Sequence, residues 1–370
     1  METQVKDFRG KSLEDLLEDP AIKYASSLIR SGKLVGFPTE TVYGLGASAL
    51  DENAVKNIYK VKGRPQDNPI IVHISNMDML ESIVAEIPNN VKELCQRFWP
   101  GPLTLLFNKN ENLPNIVTAN LETVAIRMPS HPVALALIEK SGTPIAAPSA
   151  NLSGFPSPTK AEHVYNDLRG RIPLIMDGGP CNVGVESTVI DLMQDPPIVL
   201  RPGGTDIEDL LPYIPNLKVF EKQKKYDKKL NNTPSSPGMK YRHYSPKAKV
   251  ILFEGRPKAM ESKLKEFYRN YKNAGKKVAI IHTQSEISLE NLGFELSHHT
   301  SDKELIISLL DNDSRFSLAE VVAKGIFAAL RDFDRKKVDI ILVEGITEKE
   351  RGLAVMNRLR KAADRIISSN

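Results

Sequence analysis

From residue 34 to about residue 211, short apolar runs alternate with amphipathic stretches, and Gly and Pro punctuate almost every junction. Apolar runs of this length bounded by turn residues predict strands. They fall at residues 34–38, 70–74, 103–107, 124–128, 144–147, 174–177, 188–192 and 198–201. Between them, residues 20–31 gather Ile22, Ala25, Leu28 and Ile29 on one helical face, and residues 90–98 gather Val91, Leu94 and Cys95. Asp51 is placed to cap a helix running to about Lys60, because a short carboxylate accepts from the amides left unpaired at a helix start. Strands alternating with helices predict an α/β domain.

Past Val219 the pattern changes. Residues 221–246 are rich in Lys, Asn, Ser, Pro and Tyr and contain almost no aliphatic side chains, which is the composition of a linker. Beyond it, residues 250–253, 278–282 and 338–343 read as strands. Residues 317–332 show helical periodicity through Leu318, Val321, Val322, Ile326, Phe327 and Leu330. A second, smaller α/β domain is expected, with a parallel sheet covered by helices. The division is thus a first domain over 1–219, a linker over 220–246 and a C-terminal domain over 247–370.

Composition narrows the possibilities. A chain of 370 residues is long enough for two cores, and its 41% hydrophobic and 26% charged content is that of a globular protein. With 50 basic and 46 acidic residues the formal net charge is only +4, so any affinity for polyanions must be local. Two cysteines, Cys95 and Cys181, are too few for a disulfide framework and lack metal-ligand spacing, so a reducing cytoplasm is expected. The first ten residues are charged and no long apolar run occurs, which argues against secretion and membrane spanning.

The stretch Lys62-Gly63-Arg64-Pro65-Gln66-Asp67-Asn68-Pro69, answered later by Pro148-Ser149-Ala150-Asn151, sets phosphate-type cations beside small polar residues. If the first segment is extended, Lys62 and Arg64 point the same way and form a fork suited to a polyphosphate. A solvated loop is the plain alternative. Residues 36–45 break a strand into a turn holding Thr39, Glu40 and Thr41, where Glu40 either lines a site or caps nearby backbone. No P-loop pattern is present, and Gly44-Leu45-Gly46 is too weak a dinucleotide signal. His73 lies in an otherwise apolar strand, as either a core residue or a functional one. Arg127 ends another buried strand and needs an anionic partner, either a ligand or an internal carboxylate such as Glu186 or Asp191. Glu186-Ser187-Thr188 opens a strand and Arg201 closes the next, at the kind of boundary where α/β folds bind ligands.

Together these motifs resemble the threonylcarbamoyl-AMP synthases of the long, two-domain type, whose N-terminal part is YrdC-like. The likeness is most specific at residues 37–46, 62–69, 98–105, 123–129, 147–157, 186–191 and 201–203. Two segments mark the long form: Ser236-Pro237-Gly238-Met239-Lys240-Tyr241-Arg242-His243-Tyr244-Ser245-Pro246, and Gly352-Leu353-Ala354-Val355-Met356-Asn357-Arg358-Leu359. The resemblance implies an α/β fold in which a YrdC-like twisted open sheet with helices is followed by a linker and a Rossmann-like domain.

It also implies a nucleotidyltransferase that makes threonylcarbamoyl-AMP and pyrophosphate from L-threonine, bicarbonate or CO2, and ATP. A separate tRNA threonylcarbamoyl transferase complex would use the product on the adenosine next to the anticodon. In the residues that match the family, L-threonine would be held by Thr41, His73, Arg127, Ala147 and Ser187, with Arg127 on its carboxylate. ATP would be held by Arg64, Asn68, Thr123, Ser149, Asn151, Ser157, Arg201 and Tyr244, while Lys62 and Arg64 screen the departing pyrophosphate. Magnesium would arrive with ATP, since no all-protein metal cage is visible. His73 and a phosphate or bicarbonate oxygen are both candidates for the base that deprotonates threonine. The segment from Tyr241 to Tyr244 would close over the site as a lid. Two other readings remain: an RNA-binding module whose basic strand ends contact phosphates, with weak tRNA affinity compatible with either, and a carbamoyl-transfer domain serving another acceptor.

Overall fold

The computed structural model describes residues 2–220, 243–283, 305–310 and 316–369. Most of the expected linker, including Tyr241 and Arg242 of the expected lid, lies outside the described residues. The chain divides into two compact units, residues 1–153 with 157–241, and residues 154–156 with 242–370.

The first unit runs through β1 (Gln4–Asp7), α1 (Leu13–Glu18), α2 (Pro20–Arg30), β2 (Val35–Phe37), β3 (Gly44–Ser48), α3 (Glu52–Lys62) and β4 (Val72–His73). It continues with α4 (Met77–Glu81), α5 (Asn89–Phe98), β5 (Leu103–Asn108), β6 (Thr123–Arg127), α6 (Pro132–Ser141) and β7 (Ile145–Ala146). It ends with α7 (Ala161–Leu168), β8 (Leu174–Asp177), β9 (Thr188–Asp191), β10 (Ile198–Arg201), α8 (Ile207–Leu210) and β11 (Lys218–Val219). Among the described residues these strands form a mixed eleven-stranded sheet in the order β1-β8-β2-β3-β7-β4-β6-β5-β9-β10-β11.

Strand alternation splits the core into two. Leu174 and Met176 face a cluster built with Ile22 and Ile29 of α2 and Leu137 of α6. Ile175, between them, faces the opposite cluster with Val55 and Ile58 of α3 and Val91 and Leu94 of α5. With both faces covered, the strands read as continuous apolar runs, which is why eight of them were visible in the sequence.

The second unit comprises β12 (Lys249–Gly255), α9 (Pro257–Asn273), β13 (Val278–His282), β14 (Ile306–Ser308), α10 (Leu318–Arg335), β15 (Ile340–Glu344), α11 (Gly352–Ala362) and β16 (Arg365–Ser369). Its strands lie in the order β14-β13-β15-β12-β16, and every pairing is parallel. Helix α10 begins in a capping box, with the Ser317 hydroxyl on the Glu320 amide and the Glu320 carboxylate on the Ser317 amide. Helix α9 lays Met260, Leu264 and Tyr268 against Ile251, Phe253, Ile280 and Leu342.

One strand was not foreseen, and one local expectation is corrected. Gly44-Leu45-Gly46 belongs to strand β3. A Cβ at Gly46 would come within 2.8 Å of both the Phe37 ring and Ile145, so the glycine there admits a close approach of chain to ring. The Lys62 to Arg64 segment is not extended. Helix α3, capped by Asp51 on the amides of Asn53 and Ala54, runs through Lys62 and stops at Gly63 in the left-handed region at φ 61°. The two cations therefore diverge. Among the described residues no helix is long and apolar enough to cross a membrane.

Candidate active site

Six adjacent strands, β7-β4-β6-β5-β9-β10, bring polar residues to one level of the first sheet. His73, the last residue of β4, pairs with Ile145 of β7 on one side and Arg127 of β6 on the other. Leu105 pairs with Ile126, which sets Thr104 beside Arg127, and the Thr104 hydroxyl meets the Ser187 hydroxyl at 2.7 Å. Arg201, closing β10, donates to the Ser187 carbonyl at 3.0 Å and to its hydroxyl at 3.2 Å. Ala147, just past β7, donates its amide to the Ile71 carbonyl. The five residues expected to hold threonine thus meet along this row and the turn above it.

That turn supplies Thr39, Glu40 and Thr41. Arg127 is 3% exposed and donates from Nε to the Gly101 carbonyl at 3.1 Å and from Nη1 to the Thr41 hydroxyl at 2.8 Å. Thr39 donates to the Val42 carbonyl, so the Thr41 hydroxyl donates to Thr39 while accepting from Arg127. Arg127 Nη2 lies 2.6 Å from Glu40 Oε1, an ion pair by distance. Its alignment is nonetheless poor, and among the described residues neither Glu40 oxygen nor Arg127 Nη2 has a partner in hydrogen-bond geometry. The internal partner of Arg127 is therefore Glu40, and neither Glu186 nor Asp191. Glu186 accepts from Ser157 at 2.6 Å, and Asp191 accepts from the Met193 amide and the Gln194 side chain.

His73 is buried with its ring edge toward Phe37, and its Nδ1 has no hydrogen-bond partner among the described residues. Burial, reinforced by the charge of Arg127, pushes its pKa down to about 3, so the imidazole is neutral.

The second group surrounds the end of α3. The Lys62 ammonium donates to the carbonyls of Ser149 and Asn151, and the Ser149 hydroxyl donates to Asn151 Oδ1 at 2.5 Å. The helix end and the Pro148 to Asn151 turn are thereby locked together. Arg64 donates to the carbonyls of Asn68 and Pro69, curling its own loop into shape. Asn68 is buried with Oδ1 lacking a hydrogen-bond partner among the described residues. Thr123 starts β6, about 13 Å from Arg127 at ~3.3 Å per residue along the strand. In the second unit, Tyr244 is buried with φ at 65°, stacked on Phe327 at 5.3 Å and with the Arg358 guanidinium 5.6 Å from its ring.

Sequence reasoning missed Thr104, singled out Thr39 only as part of its turn, and left Glu40 undecided. A carboxylate between two threonines in a strand-breaking turn was the available signal. Among the described residues no cluster of three or more His, Cys, Asp or Glu side chains could hold a metal ion. Both cysteines are free and buried, and burial pushes the Cys95 thiol up to about 12.

A family described as Telomere recombination matches residues 27–203, and one described as Threonylcarbamoyl-AMP synthase, C-terminal domain, matches residues 205–364. A threonylcarbamoyl-AMP synthase of Pyrococcus abyssi is 48% identical over 352 residues, covering 95% of this chain and 96% of its own length. The enzyme of the same name from Bacillus subtilis is 47% identical over 349 residues, covering 93% of each. The crystal structure of Pyrococcus abyssi Sua5 complexed with L-threonine superposes with a TM-score of 0.87 at 46% identity, over 99% of this chain and 100% of that one. The chain belongs to the threonylcarbamoyl-AMP synthase family. It is an enzyme that makes threonylcarbamoyl-AMP for threonylcarbamoyladenosine modification of tRNA. Membership extends over both units, because the full-length relatives align along nearly the whole chain.

Proposed function

We propose that the strand-end row of the first unit is the L-threonine site of this synthase, with Arg127 on the substrate carboxylate and Thr41, His73, Ala147 and Ser187 around its amine and hydroxyl. The observation that carries this reading is the buried guanidinium of Arg127, level with a neutral imidazole and two hydroxyls. An amino acid supplies the bidentate anion that such a group seeks. The threonine complex of the Pyrococcus abyssi protein supports it by similarity.

ATP then lies over the locked turn, on Arg64, Asn68, Thr123, Ser149, Asn151, Ser157 and Arg201. Lys62 fixes that turn and brings a positive charge to the phosphates. Magnesium is held by the triphosphate and water. Bicarbonate or CO2 supplies the carbamoyl carbon. Threonine's carbamate attacks the α-phosphorus as pyrophosphate leaves, so catalysis is mainly positioning and electrostatic stabilisation. With its pKa near 3, His73 is a hydrogen-bonding group for threonine and a poor proton acceptor at neutral pH. The reading includes domains at 1–219 and 247–370 joined by a linker whose Tyr244 reaches ATP as part of a lid. It also includes a cytoplasmic location and delivery of the product to a separate tRNA threonylcarbamoyl transferase complex.

Pyrophosphate release from ATP with magnesium and bicarbonate tests it, comparing L-threonine with L-serine, L-valine and no amino acid. Release that depends on threonine is the expected result. No stimulation by any amino acid would overturn the assignment and favour RNA binding, which would weaken steeply with salt.

A further inference from the structure

We propose that Glu40 receives threonine's ammonium group and takes a proton from it as the carbamate forms. This rests on the threonine reading of the pocket and adds the acid-base residue that reading lacks. Glu40 is 7% exposed, and no hydrogen bond to either oxygen offsets its desolvation among the described residues. A buried ion pair is normally tolerated only when further hydrogen bonds complete both ions. Here the pair is left incomplete on both sides, at Glu40 and at Arg127 Nη2. A zwitterion completes both together. Its carboxylate meets the guanidinium and its ammonium meets Glu40, with no change in the pocket's net charge.

The other titratable groups around Glu40 are poorly suited to the task. His73, on β4 beside Arg127, is held near 3. His131, at the start of α6, has its pKa lowered by burial, and its Nδ1 accepts from the Val133 amide. Burial and the nearby Glu40 charge push the Cys181 thiol up, away from the thiolate. The Glu40 backbone is pinned, since its carbonyl accepts from the Val183 amide at 2.8 Å and that of Thr41 accepts from the Gly184 amide at 3.1 Å. The carboxylate is thus presented by a fixed turn.

The step balances with bicarbonate as the carbon source. The threonine nitrogen bonds to the bicarbonate carbon, and the C–OH bond breaks. One ammonium proton leaves with that hydroxide as water, a second moves to Glu40, and the third stays on the carbamate nitrogen. Glu40 becomes neutral as the carbamate becomes an anion, so the two do not repel.

The test is Glu40→Gln, which keeps shape and removes the basic oxygen. Pyrophosphate release at saturating threonine and bicarbonate should fall by about 100-fold or more, the range expected for a lost general base. ATP formation from threonylcarbamoyl-AMP and pyrophosphate, which contains no amine deprotonation, should stay within about threefold, since its transition-state contacts are untouched. An unchanged forward rate, or equal loss in both directions, would overturn the proposal. Thermal melting of each variant is the folding control. Should Glu40→Gln fail to fold, Glu40→Asp keeps the charge and shortens the reach, and it must lose forward rate more than reverse rate. Wild-type release without threonine stimulation would instead overturn the threonine site itself.

Discussion

A buried carboxylate near the end of a strand in each unit, Glu40 in the first and Glu344 in the second, is treated in opposite ways. Glu344, the last residue of β15, is 0% exposed and fully engaged. His282 Nδ1, on the neighbouring strand β13, lies 3.0 and 3.1 Å from its two oxygens, and the Thr283 amide donates to it at 2.8 Å. The Thr283 hydroxyl also donates to its backbone carbonyl. Glu40 has an arginine within ion-pair distance but no aligned hydrogen bond among the described residues. A buried acid whose lone pairs are filled by its own chain stabilises a fold. One whose lone pairs are left open is arranged for something that arrives later.

The largest effect that separates the two is on stability. Glu344→Ala strands His282 and the Thr283 amide, and each buried group left without its acceptor costs about 1–3 kcal/mol. Urea unfolding should show that loss while the threonine KM of the folded protein stays put. Glu40→Gln leaves the Arg127 guanidinium without its counter-ion, but it keeps the side chain's shape, and Arg127 keeps its hydrogen bonds to Gly101 and Thr41, so the shift of the same unfolding curve should be the smaller of the two. Equal destabilisation by the two variants would erase the distinction.

A second, smaller effect comes from the histidine beside the first carboxylate. Native His73 is held near 3 by burial and by Arg127, whereas the imidazole of an unfolded chain titrates near 6.5. Between these values the unfolded chain binds a proton that the native chain does not. Stability is therefore full above about pH 6.5 and falls as pH drops toward 3, by about 1.4 kcal/mol per unit. His73→Gln removes this contribution, so its stability should decline less steeply than that of wild type between about pH 6 and pH 4.5. Parallel declines would mean that His73 is protonated in the native protein.

The same contrast explains what could be read in the chain beforehand. Strands covered on both faces carry unbroken apolar runs, so β5, β6, β9 and β10 were legible to within a residue or so. Strand β3 was not, because Gly44-Leu45-Gly46-Ala47-Ser48 has no β-branched residue and owes its conformation to packing against Phe37 and Ile145. Strand β1 is exposed and polar and is recruited by β8. In the site, residue types were legible and pairings were not. Glu40 and Arg127 are 87 positions apart in the chain, and only the strand order brings them together. Lys62 read as half of a fork because periodicity does not reveal where a helix stops, whereas the left-handed turn at Gly63 does.

The smallest effect compares one chemical change made beside each carboxylate. Thr283→Val removes a hydroxyl that donates to the Glu344 carbonyl at 3.1 Å, and should cost about 1 kcal/mol of stability with no kinetic consequence. Thr41→Val removes the hydroxyl that orients Arg127 at 2.8 Å. Losing one hydrogen bond to a charged group is worth about 1.4 kcal/mol, or about a tenfold rise in the threonine KM with kcat nearly constant. Steady-state kinetics at saturating ATP and bicarbonate measures both. If Thr283→Val raised the threonine KM as much as Thr41→Val, the filled carboxylate would be part of substrate binding after all, and burial with complete hydrogen bonding would no longer mark a residue as structural in this protein.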